Sequence, residues 1–191
     1  MKGLTMNRQP PMEPLINRIC SRAERARWLD ESRAMPSVTL TGRQLLDLNL
    51  LACGAYSPLV GFMTRADYLG VLDTMRLDSG APWSIPIILA VKSSVGSRLR
   101  EGSKVLLRDA RGQERGVLEL RERYTYDPMR EAHQVYRTLD ATHPGVRRLH
   151  AQGDVLLGGP IWSFDAPAPG ALAHHTLTPA QARAAFAARG W

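Results

Sequence analysis

Apolar residues recur at helical spacing early in the chain and at strand spacing in its middle. Leu45, Leu48, Leu51 and Ala52 share one face of a 3.6-residue repeat and directly follow Thr41-Gly-Arg-Gln44. In that tetrad a threonine hydroxyl and a glutamine amide can each satisfy a free backbone N–H, a reciprocal cap, and Gly54 supplies the stop. Thr64 and Asp67 form a second start signal, ahead of Tyr68, Val71, Leu72 and Met75 at helical spacing. A sparser pattern of Ile19, Ala23, Ala26 and Leu29 predicts a modest helix within 16–32. Near the end of the chain, Thr178-Pro-Ala-Gln181 combines cap, proline and capping glutamine before an alanine-rich helix that Gly190 closes.

Between these helices the period changes. Ile85-Pro-Ile-Ile-Leu-Ala-Val91 is short, apolar and β-branched, with Pro86 favouring a strand start or edge. Lys104–Arg108 and Gly116–Arg121 flank Asp109-Ala-Arg-Gly112, whose ends suit a tight turn, and predict a hairpin. Asp127-Pro128 caps a helix running through Ala132, Val135 and Tyr136, and His143-Pro-Gly-Val146 reads as a turn. Asp154–Phe164 reads as a strand interrupted by a bulge or bend at its glycines, and Ala166-Pro-Ala-Pro-Gly-Ala171 as a connector. Helices, then a β-rich middle, then helices predict an α+β domain on a small β-barrel or curled sheet with flanking helices.

The connector between the first two strong helices is itself apolar. In Tyr56-Ser-Pro-Leu-Val-Gly-Phe-Met63, Pro58 steers Ser57 away from helix and Gly61 allows a turn, so that Leu59, Phe62 and Met63 can tuck inward.

Composition alters this picture little. At 191 residues, 44% hydrophobic and 23% charged, the chain can bury a substantial core. No run is long enough to cross a bilayer, and the first thirty residues contain no apolar run resembling a signal-peptide core, which predicts a cytoplasmic protein without membrane partners. Cys20 and Cys53 lack metal or redox spacing and read as reduced thiols, with Cys53 suited to buried packing. The net charge of +7 is spread out: residues 1–35 carry seven basic and four acidic side chains, and residues 92–123 nine and five. Acids dilute the basic excess throughout, which predicts weak nucleic-acid binding or none.

A search for chemistry returns no catalytic set. Gly96 and Gly102-Ser103-Lys104 lack phosphate-loop spacing and lead into a strand. His143, His150, His174 and His175 have no convergent metal-ligand partners, and Ser57 has neither a nearby histidine nor a nucleophile elbow. No catalytic, cofactor-binding or metal-binding residue is assigned.

The segment Leu40–Met63 resembles the opening of the ATP sulfurylases (sulfate adenylyltransferases), whose connector usually reads FSPL-x-GFM. The likeness continues through Asp67-Tyr68, Trp83-Ser-Ile-Pro-Ile87, Asp127, Glu131-Ala132, His143-Pro-Gly-Val146, Leu157-Gly-Gly-Pro160 and Leu177-Thr-Pro179. It implies the family's amino-terminal PUA-like domain over 34–165, preceded by a partly helical or poorly ordered arm (1–33). A linker and helix (166–191) would lead into a catalytic domain. The Gln-x-Arg-Asn and His-x-x-His segments that serve nucleotide and sulfate in that family do not occur in this sequence. Tyr56 stands where phenylalanine is usual, and Pro11-Met-Glu13 replaces a His-Gly-Gly. The resemblance therefore implies a non-catalytic structural or interface module, inactive alone, with Tyr56, Ser57, Pro58, Leu59, Gly61, Phe62 and Met63 as its motif. Its partner would be a separately encoded catalytic domain or a homo-oligomer. The rival expectation is a stand-alone PUA-like module that binds RNA or another anionic partner.

Overall fold

Nine residues near the carboxyl end, Val155–Ser163 (β7), organise the sheet, because four other strands pair with them. The computed structural model describes residues 14–166 and 176–190. Pro10, Pro11, Pro11-Met-Glu13, the 167–171 part of the connector, His174, His175 and Trp191 lie outside the described residues.

Chain order runs α1 (Arg22–Glu31), β1 (Ser37–Thr39), α2 (Gly42–Ala52), β2 (Gly61–Phe62), α3 (Arg65–Thr74), β3 (Leu89–Val91) and a short α4 (Ser93–Gly96). It continues with β4 (Lys104–Arg108), β5 (Glu114–Glu119), β6 (Glu122–Thr125), α5 (Pro128–Glu131) widening into a π turn (Ala132–Tyr136), α6 (Pro144–Ala151), β7 and α7 (Pro179–Ala187). The mixed sheet has the order β1-β4-β5-β7-β2, parallel between β1 and β4 and antiparallel elsewhere along that path. β3 and β6 pair with the first half of β7, β5 and β2 with the second, so the sheet curls around the point where partners change. This is the expected α+β, PUA-like curled sheet.

Period-two alternation separates two cores. Val105 and Leu107 of β4 and Leu118 of β5 enter the main core with Leu48, Leu51, Leu89, Leu156 and Ile161. Leu106 and Val117 point to the other face, where Trp28 of α1 and Phe164 cover them. Each fully buried leucine contributes about 2 kcal/mol, so the faces reinforce the register that the backbone bonds set.

The capped helices form as the sequence expects. Thr41 accepts from Gln44 N and Gln44 Oε1 accepts from Thr41 N, and Thr178 and Gln181 repeat the exchange. Asp127 caps α5 by accepting from Met129 N, with Pro128 at the first position.

Elsewhere the structure corrects the reading. α1 starts only at Arg22, capped by the Ser21–Glu24 pair, because Ile19 is drawn into a parallel bridge with Ser163. Thr64 precedes α3 without a side-chain cap, and Asp67 Oδ1 instead accepts from Asp78 N. His143-Pro-Gly-Val146 is not a turn but the start of α6: His143 Nδ1 accepts from Gly145 N, and Val146 and Leu149 are buried. β7 is continuous through Gly158-Gly159, and Cys53 is half-buried, its thiol donating to the Leu50 carbonyl. Only Leu89–Val91 of the 85–91 run is strand.

Candidate functional site

The connector after α2 is folded by its own polar atoms. Gly54, at φ +85°, ends α2. The Ser57 hydroxyl donates to the Gly54 carbonyl at 2.8 Å and accepts from Ile16 N at 2.9 Å, so it serves the loop backbone. The Ser57–Pro58 peptide is cis. Leu59, Phe62 and Met63 all lie in the main core, with Phe62 2% exposed. Met63 N donates to the Ile87 carbonyl, and Ile87 N to the Met63 sulfur, which ties the connector to the run before β3. Tyr56 is half-buried at the edge of this core: its hydroxyl donates to Asp47 Oδ1 at 3.2 Å and its ring meets Trp83 edge-on at 6.0 Å.

Beside the connector lies a buried polar cluster. The helical spacing of Tyr68, Val71 and Leu72 turns Tyr68 inward, where its hydroxyl donates to Glu131 Oε2 at 2.9 Å. Tyr124 and Tyr126 pack on the Tyr68 ring, and the Tyr124 hydroxyl donates to the Met63 carbonyl. Burial pushes the Glu131 carboxyl up to about 7, partly offset by the Tyr68 hydrogen bond. Burial likewise raises the Tyr68 and Tyr124 phenols well above the usual range, and Tyr126 to about 12.

Glu131 also lines a cleft of about 650 Å³ bounded by α2, β3 and α6. Gln44, Asp47 and Tyr136 line it with Glu131, Arg43, Arg148 and Lys92 are exposed at its margin, and Pro86, Ile88 and Ala90 form an apolar wall. Gln44 is spent on structure, its Nε2 donating to the Ala90 carbonyl at 2.8 Å. Burial raises the Asp47 carboxyl against the pull of Arg43, whose Nε lies 3.5 Å away. A second hollow of about 560 Å³, lined by Tyr56, Met75, Trp83 and Ile87, shares Arg43 and Ile85 with the first.

The sequence-assigned motif thus divides: Leu59, Phe62 and Met63 build the core, Ser57 holds the loop backbone, Gly61 makes no turn but lies in β2 against Pro160, and Tyr56 reaches the surface hollow. Sequence reading missed Asp47, Tyr68, Arg148 and the site character of Glu131. The available signals were a carboxylate beside the apolar stripe Ala132 and Val135, and a tyrosine on the inward face of α3. Among the described residues no group of three His, Cys, Asp or Glu side chains converges as metal ligands.

A curled mixed sheet with one late central strand, flanked by helices and a capped apolar connector, defines an α+β domain of the PUA-like kind. The chain belongs to the PUA-like domain family, which matches residues 8–166. It is 44% identical to a sulfate adenylyltransferase of Symbiobacterium thermophilum over 177 residues, 93% of this chain and 45% of that protein. A sulfate adenylyltransferase of Microcystis aeruginosa is 42% identical over 191 residues, 100% of this chain and 49% of that protein. The chain therefore spans about half the length of the curated relatives it matches and corresponds to their amino-terminal domain. Among solved structures, a hexameric APS kinase from Thiobacillus denitrificans superposes with a TM-score of 0.69 at 29% identity, covering 93% of this chain and 31% of that one. Among the described residues no helix is long and apolar enough to cross a membrane.

Proposed function

We propose that this chain is a non-catalytic structural and interface domain of a sulfate-activating protein, working beside a catalytic domain of the kind its longer relatives carry. The observation that carries the reading is a mismatch of coverage: 93–100% of this chain aligns with sulfate adenylyltransferases, yet it spans only 45–49% of them. Attack of sulfate on the α-phosphorus of ATP needs cationic and backbone donors held around the phosphates. The Gln-x-Arg-Asn and His-x-x-His segments expected to provide them do not occur in the sequence.

The interface role belongs to the outward side of the connector. Tyr56 and Trp83 flank a hollow whose rim includes Met75, 51% exposed, and Ile85, 48% exposed, an apolar surface suited to a partner domain or a second copy. The RNA-binding alternative has less support. Arg25, Arg27, Arg43, Lys104, Arg108, Arg115 and Arg130 all stand within ion-pair distance of a carboxylate, which reduces the free positive surface.

The test is an assay of the purified chain with ATP, magnesium and sulfate. It should form no adenylyl sulfate and release no pyrophosphate. Sulfate-dependent pyrophosphate release that keeps constant specific activity through successive purification steps overturns the reading. Submicromolar, structure-selective RNA binding at physiological salt would favour the alternative.

A further inference from the structure

We propose that the cleft between α2 and α6 binds a small amphoteric molecule, with a protonated amine at its inner end and a carboxylate or phosphate at its mouth. The volume of about 650 Å³ falls within the range of small-molecule sites. The class of ligand follows from the charges left over once the cleft's own pairs are matched.

Asp47 has its counter-charge in Arg43, 3.5 Å away, and takes the Tyr56 hydroxyl as well. Glu131 is different. It is 3% exposed, takes one hydrogen bond from Tyr68 on Oε2, and has no ion-pair partner among the described residues. A buried carboxylate in that state is stabilised by a cation or a strong donor brought to it. At the margin the imbalance reverses: Arg43, Arg148 and Lys92 are exposed there, Arg148 adds its attraction to that of Arg43 on Asp47 without standing within ion-pair distance of it, and Lys92 forms no ion pair among the described residues, so three cations face two carboxylates. The lining also includes Pro86, Ile88 and Ala90, which offer contact to methylenes and no hydrogen bonds from side chains. A buried anion, exposed cations and apolar lining within one cleft together complement an ammonium, a short aliphatic spacer and an acid group. The assignment is independent of the interface role, because it is read and tested on this chain alone.

The groups around Glu131 make its ionisation readable. Tyr68 from α3, Tyr124 from β6, Tyr126 after β6 and Tyr136 from the π turn surround it, and all four phenols are raised, hence neutral through the physiological range. Asp47, Arg43 and Arg148 share the cleft with it. A ligand ammonium needs the ionised carboxylate, so affinity should rise with pH between 6 and 8.

Isothermal calorimetry tests this with four probes: 5-aminopentanoate and O-phosphoethanolamine as amphoteric ligands, 1,5-diaminopentane as amine only, and glutarate as acid only. At least one amphoteric probe should bind with Kd below about 1 mM and tighten about tenfold from pH 6 to pH 8. Preference for the first or the second probe identifies the outer group as carboxylate or phosphate. Glu131→Gln and, separately, Arg148→Ala should each weaken binding at least about tenfold. Arg148 is an exposed side chain, so its variant keeps the test valid should Glu131→Gln fold poorly. The proposal is overturned if neither amphoteric probe binds with Kd below about 1 mM. It is equally overturned by amine-only or acid-only probes binding as tightly as the amphoteric ones, or by affinity unchanged with pH or in Arg148→Ala.

Discussion

A Cβ placed on Gly61 would lie 2.0 Å from the carbonyl oxygen of Gly159, its diagonal neighbour where β2 meets β7. No rotamer relieves that overlap, because the obstacle is backbone. Gly61→Ala should therefore separate β2 from β7 and cost about 3 kcal/mol or more. Gly42→Ala is the matched control: nothing lies within 4 Å of its added Cβ, at an exposed first turn of α2, and stability should stay level or rise by up to about 1 kcal/mol. Equal urea midpoints for the two variants would disprove the close approach.

Phe62 is 2% exposed in the main core, in register with Gly159. Phe62→Ala should cost about 3 to 5 kcal/mol, lowering Tm by roughly 10 °C. A shift below about one degree would mean that Phe62 serves a partner surface instead.

Glu131 makes the domain's stability depend on pH in the direction opposite to most carboxylates. Its carboxyl is raised from 4.5 to about 7, so the folded state holds the proton more tightly than the unfolded one. The resulting stability is fully present below pH 4.5, is lost as pH rises towards 7, and stays absent above. Glu131→Gln keeps an acceptor for Tyr68 and removes the charge. It should flatten this slope and stabilise the protein at pH 8 by about 2 to 3 kcal/mol. Chemical denaturation at pH 5 and pH 8 checks both halves. An unchanged slope would show that Glu131 is not the group responsible.

Cys20 should be a slow thiol. Partial burial, with Glu24 nearby, pushes it up to about 11, so only ~0.1% is thiolate at pH 8. In a Cys53→Ser background, labelling by a disulfide reagent at pH 8 should run at least tenfold slower than in unfolded chain, roughly the loss of thiolate moderated by the higher nucleophilicity of a basic thiol. Equal rates would contradict the burial.

How much of this was legible depended on sequence distance. The reciprocal caps of α2 and α7 involve residues three apart, and the β4–β5 hairpin closes over a short turn, so both were readable, although β5 begins at Glu114 rather than Gly116. α6 was hidden because four residues, His143 to Val146, carry turn chemistry, and the buried Val146 and Leu149 acquire meaning only against Ala132 and Tyr136. The pair Gly158-Gly159 reads locally as a break. In the structure the glycines keep β7 continuous, since added Cβ atoms would meet the Met63 carbonyl at 2.6 Å and the Glu119 carbonyl at 2.1 Å. Those crossings come from chain segments some forty or more residues away. The site was least legible of all: Glu131 is separated from Tyr68 by 63 positions, and no local pattern announces that they meet.

The place of β7 in the chain has a consequence for synthesis. β2, β3, β5 and β6 are all made before it and all bond to it, so none of them can complete its pairing until residues 155–163 have left the ribosome. Until then the growing chain holds several short apolar strands with their central edges open, the condition in which nascent proteins recruit chaperones or one another. β1, β4 and β5 can join one another earlier, but β2, β3 and β6 have no other strand partner, so the domain must close late, its last strand acting as the keystone of an arch.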